Sequence, residues 1–68
     1  MKVIDAKGLS CPEPVLLAKK GVAEGEYPFQ ILVDDETPRE NILRFAKNND
    51  HHASLTEKDD HYVIEFTR

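Results

Sequence analysis

Asp5-Ala6-Lys7-Gly8-Leu9-Ser10-Cys11-Pro12-Glu13-Pro14 is the stretch on which the reading of this chain turns. Its first residues belong to a short β-branched run, Val3 to Ala6, that reads as a strand halted by Gly8. From Cys11 onward the pattern becomes helical. Proline is tolerated in a helix's first turn, where its missing N–H would have no intrahelical acceptor. With Cys11 as N-cap, Pro12 takes the first helical position and Pro14 the third. Val15, Ala18 and Val22 then form an i, i+3, i+7 stripe supported by Leu16 and Ala23. Leu17 falls on the opposite face, and Lys19 sits close to the apolar one. Gly21 costs about 1 kcal/mol relative to alanine inside a helix, which points to close packing or an early finish. Gly25 is the expected stop.

Outward from there, Tyr27 to Val33 alternates Phe29, Ile31 and Val33 with Gln30 and Leu32, the clearest strand of the chain. Pro28 suits its start or an edge. Asp34-Asp35-Glu36 ends it with charge. Thr37-Pro38-Arg39-Glu40 reads as a helix start, with Thr37 capping, Pro38 first and Glu40 completing a capping box. Ile42, Phe45 and Ala46 make the buried stripe, Glu40 and Arg44 a favourable pair, and Asn48-Asn49-Asp50 the end. Ala53 to Glu57 and Tyr62 to Thr67 are two strands joined by the polar turn Lys58-Asp59-Asp60-His61. The order β-α-β-α-β-β predicts a two-layer α/β (α+β) sandwich, a mixed four-stranded sheet with both helices on one face. Parallel pairing of the first two strands would bring Cys11, Asp34, Asp35 and the second helix start to one edge, where α/β folds place ligand sites.

The 68 residues allow one small domain, 1–68, and a composition 40% hydrophobic and 32% charged is that of a globular chain. No apolar run approaches a membrane span, and Met1-Lys2-Val3-Ile4-Asp5 lacks a secretory h-region, so a cytoplasmic protein is expected. A net charge of −4 argues against general affinity for nucleic acid or anionic membrane. One cysteine excludes an internal disulfide, a Cys-x-x-Cys redox pair and a multi-cysteine zinc site. Any disulfide or persulfide chemistry must involve a second molecule.

A thiol at a helix N-terminus meets the positive end of the macrodipole, which favours thiolate. Pro12 and Pro14 remove amide donors from that turn, and Glu13, Asp34 and Asp35 oppose a second negative charge, with Lys7 the nearest compensating cation. The residues therefore suggest a thiolate of moderate acidity. The alternative is a cysteine packed as a small hydrophobe, against which the Ser10-Cys11-Pro12 turn argues. His51, His52 and His61 do not make a metal site: adjacent histidines point apart and no second motif supplies spaced ligands. Asp34-Asp35-Glu36 reads equally as a hard-cation ligand set and as acids at a helix start. Lys19-Lys20 reads as helix surface, leaving Leu17, if exposed near Cys11, as the docking candidate.

The run Asp5-x-x-Gly8-Leu9-x-Cys11-Pro12-x-Pro14, followed by Val15-Leu16, resembles the Cys-Pro-x-Pro signature of the TusA/SirA-like sulfur-carrier family. The resemblance covers essentially the whole chain. Thr37 to Ala46 looks closer to the N-terminal domain of YedF-type selenium-metabolism proteins, which carry a second, DsrE-like domain that these 68 residues do not include. The chain thus reads as a standalone homologue or the N-terminal domain of a longer protein. The family implies a persulfide relay with Cys11 as nucleophile and carrier, needing no cofactor. A cysteine desulfurase or other persulfide donor would load it, and an acceptor protein would take the sulfur for tRNA thiolation, cofactor synthesis or sulfur metabolism. Pro12, Glu13 and Pro14 would form the helix start and Gly8 the turn that exposes the thiol. Asp5, Leu17, Asp34 and Asp35 are candidates for shaping or docking. Absence of a resolving cysteine agrees with carriage, because an internal thiol would release the sulfur and close a disulfide. The alternatives are a selenium-metabolism accessory or regulatory domain and a docking module without sulfur transfer.

Overall fold

A computed structural model describes residues 2–10 and 12–67 of the chain. These run β1 (Lys2–Asp5), α1 (Glu13–Glu24), β2 (Phe29–Val33), α2 (Glu36–Asn48), β3 (His52–Glu57) and β4 (Tyr62–Thr67), in the expected order. The sheet order is β1-β2-β4-β3. β1 lies parallel to β2, whereas β4 runs antiparallel to both β2 and β3. The last strand therefore sits inside the sheet, and the hairpin it makes with β3 supplies the edge.

Alternation sorts the side chains. Phe29, Ile31 and Val33 of β2 stand opposite Phe66, Ile64 and Tyr62 of β4. Phe29, Ile31, Val33, Ile64 and Phe66 are fully buried beneath the two helices, together with Ala18 of α1 and Ile42 of α2. Phe29 and Phe66 stack with ring centroids 5.0 Å apart, an arrangement that adds to the burial of both rings. The other sheet face is mixed: Val63 is buried there opposite half-buried Leu32, and Gln30 Nε2 donates to Glu65 Oε1 at 3.0 Å.

Ala18 of α1 and Ile42 and Ala46 of α2 are buried as expected. On α1 the buried residues beside Ala18 are Pro14 and Gly21, while Val15 and Val22 pack half-buried against the core. Gly21 sets this phase: a Cβ there would lie 2.7 Å from the Phe29 ring. Lys19 lies with its ammonium 5.9 Å from the Phe45 ring centroid, a cation–π contact between the helices. Gly25 ends α1 at φ 69°, its N–H donating to the Gly21 and Val22 carbonyls.

α2 starts earlier than expected. Asp35 is its N-cap, with Oδ1 accepting from the Glu36 N–H at 2.7 Å, so Thr37 and Pro38 fall inside the first turn. Pro38, Ile42 and Ala46 form the buried stripe, and Phe45 packs half-buried beside them. Glu40 accepts from Arg39 at 3.1 Å instead of pairing with Arg44, and the Arg39 guanidinium lies 4.8 Å from the Tyr62 ring centroid. Asn49 closes the helix through Nδ2 to the Phe45 carbonyl at 2.9 Å.

Candidate functional site

Parallel pairing of β1 and β2 brings their C-terminal ends together. The Ala6 N–H donates to the Leu32 carbonyl at 2.9 Å, carrying the ladder one residue past β1. Beyond it the chain must turn toward α1. Asp5 starts the turn by accepting the Lys7 N–H at 3.0 Å, a local side-chain-to-backbone bond of the kind aspartate favours in turns. Gly8 takes φ 78°, a conformation that costs a residue bearing Cβ about 1 kcal/mol or more. From there its N–H reaches Asp34 Oδ1 at 3.2 Å. The loop after β1 is thereby tied to the residue after β2, 26 positions along the chain.

Ser10 leads into α1. Its carbonyl accepts the Glu13 N–H at 2.9 Å, and the Pro12 carbonyl accepts the first helical bond, from Leu16, at 3.1 Å. Pro12 is thus the N-cap, Glu13 opens the helix and Pro14 is second, which shifts the expected N-cap from Cys11 to Pro12. The physical reason is that bond from Leu16: it makes Pro12, with ψ 16°, the last residue before the helix proper. Pro12 and Glu13 are exposed while Pro14 is buried. The Glu13 amide is thus engaged by the Ser10 carbonyl. Cys11 itself lies outside the described residues.

The candidate shaping residues have defined structural tasks. Asp5 and Asp34 hold the loop, and Asp35 caps α2 on the same edge. Leu17 does not serve as an exposed contact, because it is half-buried against the core. The phase set by Gly21 turns Leu16 outward instead, 53% exposed, and Leu9 is also open at 37%. Ser10, whose carbonyl orders the helix entry, was not singled out by sequence, since a main-chain acceptor leaves no side-chain signature.

Beside this edge is a cleft of about 250 Å³ lined by Asp34 and the β3–β4 turn, including Asp59, Asp60 and His61. His61 Nδ1 lies 2.6 Å from Asp60 Oδ1. That hydrogen bond holds the Asp60 carboxyl below its usual range, with His61 and Lys7 charge adding to it. His51 packs its ring 5.4 Å from that of Phe45, so it is a half-buried core neighbour and not a solvated loop residue. Among the described residues no group of three or more His, Cys, Asp or Glu side chains is arranged to hold a metal ion. No described helix is long and apolar enough to cross a membrane.

The sequence and the fold find counterparts in known proteins. The family model described as sulfurtransferase TusA matches residues 2–68. The chain belongs to the TusA family. A Methanocaldococcus jannaschii protein named as a candidate sulfur carrier is 41% identical over 61 residues, covering 85% of this chain and 80% of that protein. The crystal structure of a SirA-like protein from Desulfitobacterium hafniense superposes with a TM-score of 0.88 at 33% identity, covering 97% of this chain and 95% of that one. Membership of the TusA family supports a sulfur-carrier role, and with it a donor and an acceptor of sulfur as partners.

Proposed function

We propose that this TusA-family chain carries sulfane sulfur as a persulfide on Cys11 and relays it between proteins. The observation that carries the reading is the single cysteine of the chain standing within Cys-Pro-x-Pro, in a sequence matched over residues 2–68 by the family model. The Cys11 thiolate attacks the outer sulfur of a donor persulfide, on a cysteine desulfurase or another carrier. A new S–S bond forms at Cys11, the donor's S–S bond breaks, and the donor cysteine leaves as thiolate. In the second step an acceptor thiolate attacks the outer sulfur of the Cys11 persulfide and Cys11 leaves as thiolate. Each step is an exchange with no net oxidation, so no cofactor is required. The reducing cytoplasm suits it, because Cys11 is kept as a thiol between rounds.

The tied loop supports this reading. Asp5 and Asp34 restrain the backbone leading to Cys11, and exposed Ser10 and Pro12 flank it in the chain. The test is the intact mass of the protein after incubation with a cysteine desulfurase and cysteine, alongside Cys11→Ser. One added sulfur, removed by reductant and absent from a folded Cys11→Ser variant, is expected. An alkylatable Cys11 that gains no sulfur from desulfurase or polysulfide would overturn the relay in favour of a docking or regulatory domain.

A further inference from the structure

The chain approaching Cys11 is held differently on its two sides. On the helix side, Pro14 and Ala18 of α1 are buried and the Glu13 N–H is engaged by the Ser10 carbonyl at 2.9 Å, so packing fixes the backbone. On the strand side, Lys7, Gly8, Leu9 and Ser10 are all exposed, and hydrogen bonds must do what packing does not. The Lys7 N–H donates to Asp5 Oδ1 at 3.0 Å and the Leu9 N–H to the Ala6 carbonyl at 3.4 Å. Both bonds join near neighbours, so they shape the turn without fixing it to another element. The bond from the Gly8 N–H to Asp34 Oδ1, at 3.2 Å, instead reaches across to the residue after β2. The start of α2 does not depend on Asp34, since Asp35 is its cap, and Asp34 is exposed, so its side chain fills no space in the core.

We propose that Asp34 is a positioning residue for sulfur transfer, holding through Gly8 the loop that presents Cys11 to a persulfide borne by a protein. The assignment rests on the relay reading above and adds to it a residue from beyond another strand. In the transfer the Cys11 thiolate attacks the outer sulfur along the line of the S–S bond that breaks, and the donor cysteine leaves as thiolate. A persulfide fixed on a protein has few directions of approach, so a loop free to shift misaligns the three sulfurs. Dissolved polysulfide approaches from any side and makes no such demand. Gly8 stands three residues ahead of Cys11, a reach of about 11 Å at most, so a displacement at its amide carries to the thiol. Like charge keeps the Asp34 carboxylate on this bond, because Asp59 and Asp60 line the same cleft and disfavour its swinging toward them.

Single-turnover loading of wild type, Asp34→Ala and Asp34→Asn, read by intact mass, tests this, with far-UV circular dichroism to verify each fold. Two sulfur sources are compared, a persulfidated cysteine desulfurase and inorganic polysulfide. Both variants lose the charge, and only asparagine keeps an oxygen to accept the Gly8 N–H. From the desulfurase, Asp34→Ala is expected to load about tenfold more slowly than wild type; from polysulfide, within about twofold of Asp34→Asn. Asp34→Asn is expected to recover most of the desulfurase rate, which a role of the charge in docking would not allow. Asp34→Ala as fast as wild type from the desulfurase would overturn the assignment and leave the relay standing. So would Asp34→Asn as slow as Asp34→Ala, or equal slowing with both sources. Wild type that gains sulfur from neither source overturns the relay and the assignment with it.

Discussion

Gly21 shows how one residue sets the depth at which a helix sits on a sheet. The Phe29 ring occupies the space a side chain would need, and it has no freedom to yield because it is fully buried and stacked on Phe66. Gly21→Ala improves helix propensity by about 1 kcal/mol, but the inserted methyl forces rearrangement of a packed aromatic pair, typically costing about 1–3 kcal/mol. Overpacking is expected to win. A lower urea midpoint with unchanged m-value is the expected result, and a midpoint at or above wild type would show that α1 shifts outward freely. Gly25 offers a contrast, since its αL conformation and not a close neighbour selects glycine there.

Among elements, α2 takes its start from Asp35. Thr37 has the sequence context of a capping box, yet the backbone makes Asp35 the cap, extended at φ −141° and ψ 157°. Asp35→Ala is expected to cost about 1 kcal/mol, the usual loss of a side-chain cap. Thr37→Ala, inside the first turn, is expected to cost less than about half of that. Chemical denaturation of the two variants decides between the starts, and the reverse ranking would restore Thr37 as the cap. For α1 the Pro12 cap makes no side-chain hydrogen bond, so Ser10 and the loop behind it govern how that helix begins. Asp34 matters here because its bond to Gly8 couples the ends of both parallel strands.

Over the whole molecule, Lys2 links the first strand to the end of α1 by pairing with Glu24. The hydrogen bond from Lys2 holds the Glu24 carboxyl below its usual value, and the same bond raises Lys2. A carboxyl lowered by folding stabilises fully above its ordinary value of 4.5, and that contribution disappears as pH falls through its folded value. For Lys2 the sign reverses: its contribution is full below 10.5 and is lost as pH rises through the raised value. Both groups are at the surface, so salt screens the pair. Glu24→Gln is therefore expected to lower the Tm slightly at neutral pH and low salt, with the gap closing below pH 4.5. A gap that persists in acid or in high salt would show that the ion pair is not its cause.

The order and kind of the six elements were legible in the chain because alternation and helical periodicity are local. Phe29, Ile31 and Val33 reveal a strand without reference to their partners, as do Tyr62 to Thr67. The same is true of the Gly25 stop and of the Cys-Pro-x-Pro signature that led to the TusA family. The burial phase of α1 was legible only in part. Val15, Ala18 and Val22 do face the core, but Pro14 and Gly21 are buried beside Ala18, because the Phe29 ring leaves no room for a Cβ at position 21. Nor did composition distinguish Asp34, which ties the loop, from Asp35, which caps a helix, since adjacent aspartates are alike until the backbone directs one to Gly8 and the other to Glu36. Sequence by itself determined what the segments are and which residue is the only thiol. Tertiary structure alone decided which faces meet, because contact depends on the volume and direction of groups far apart in the chain.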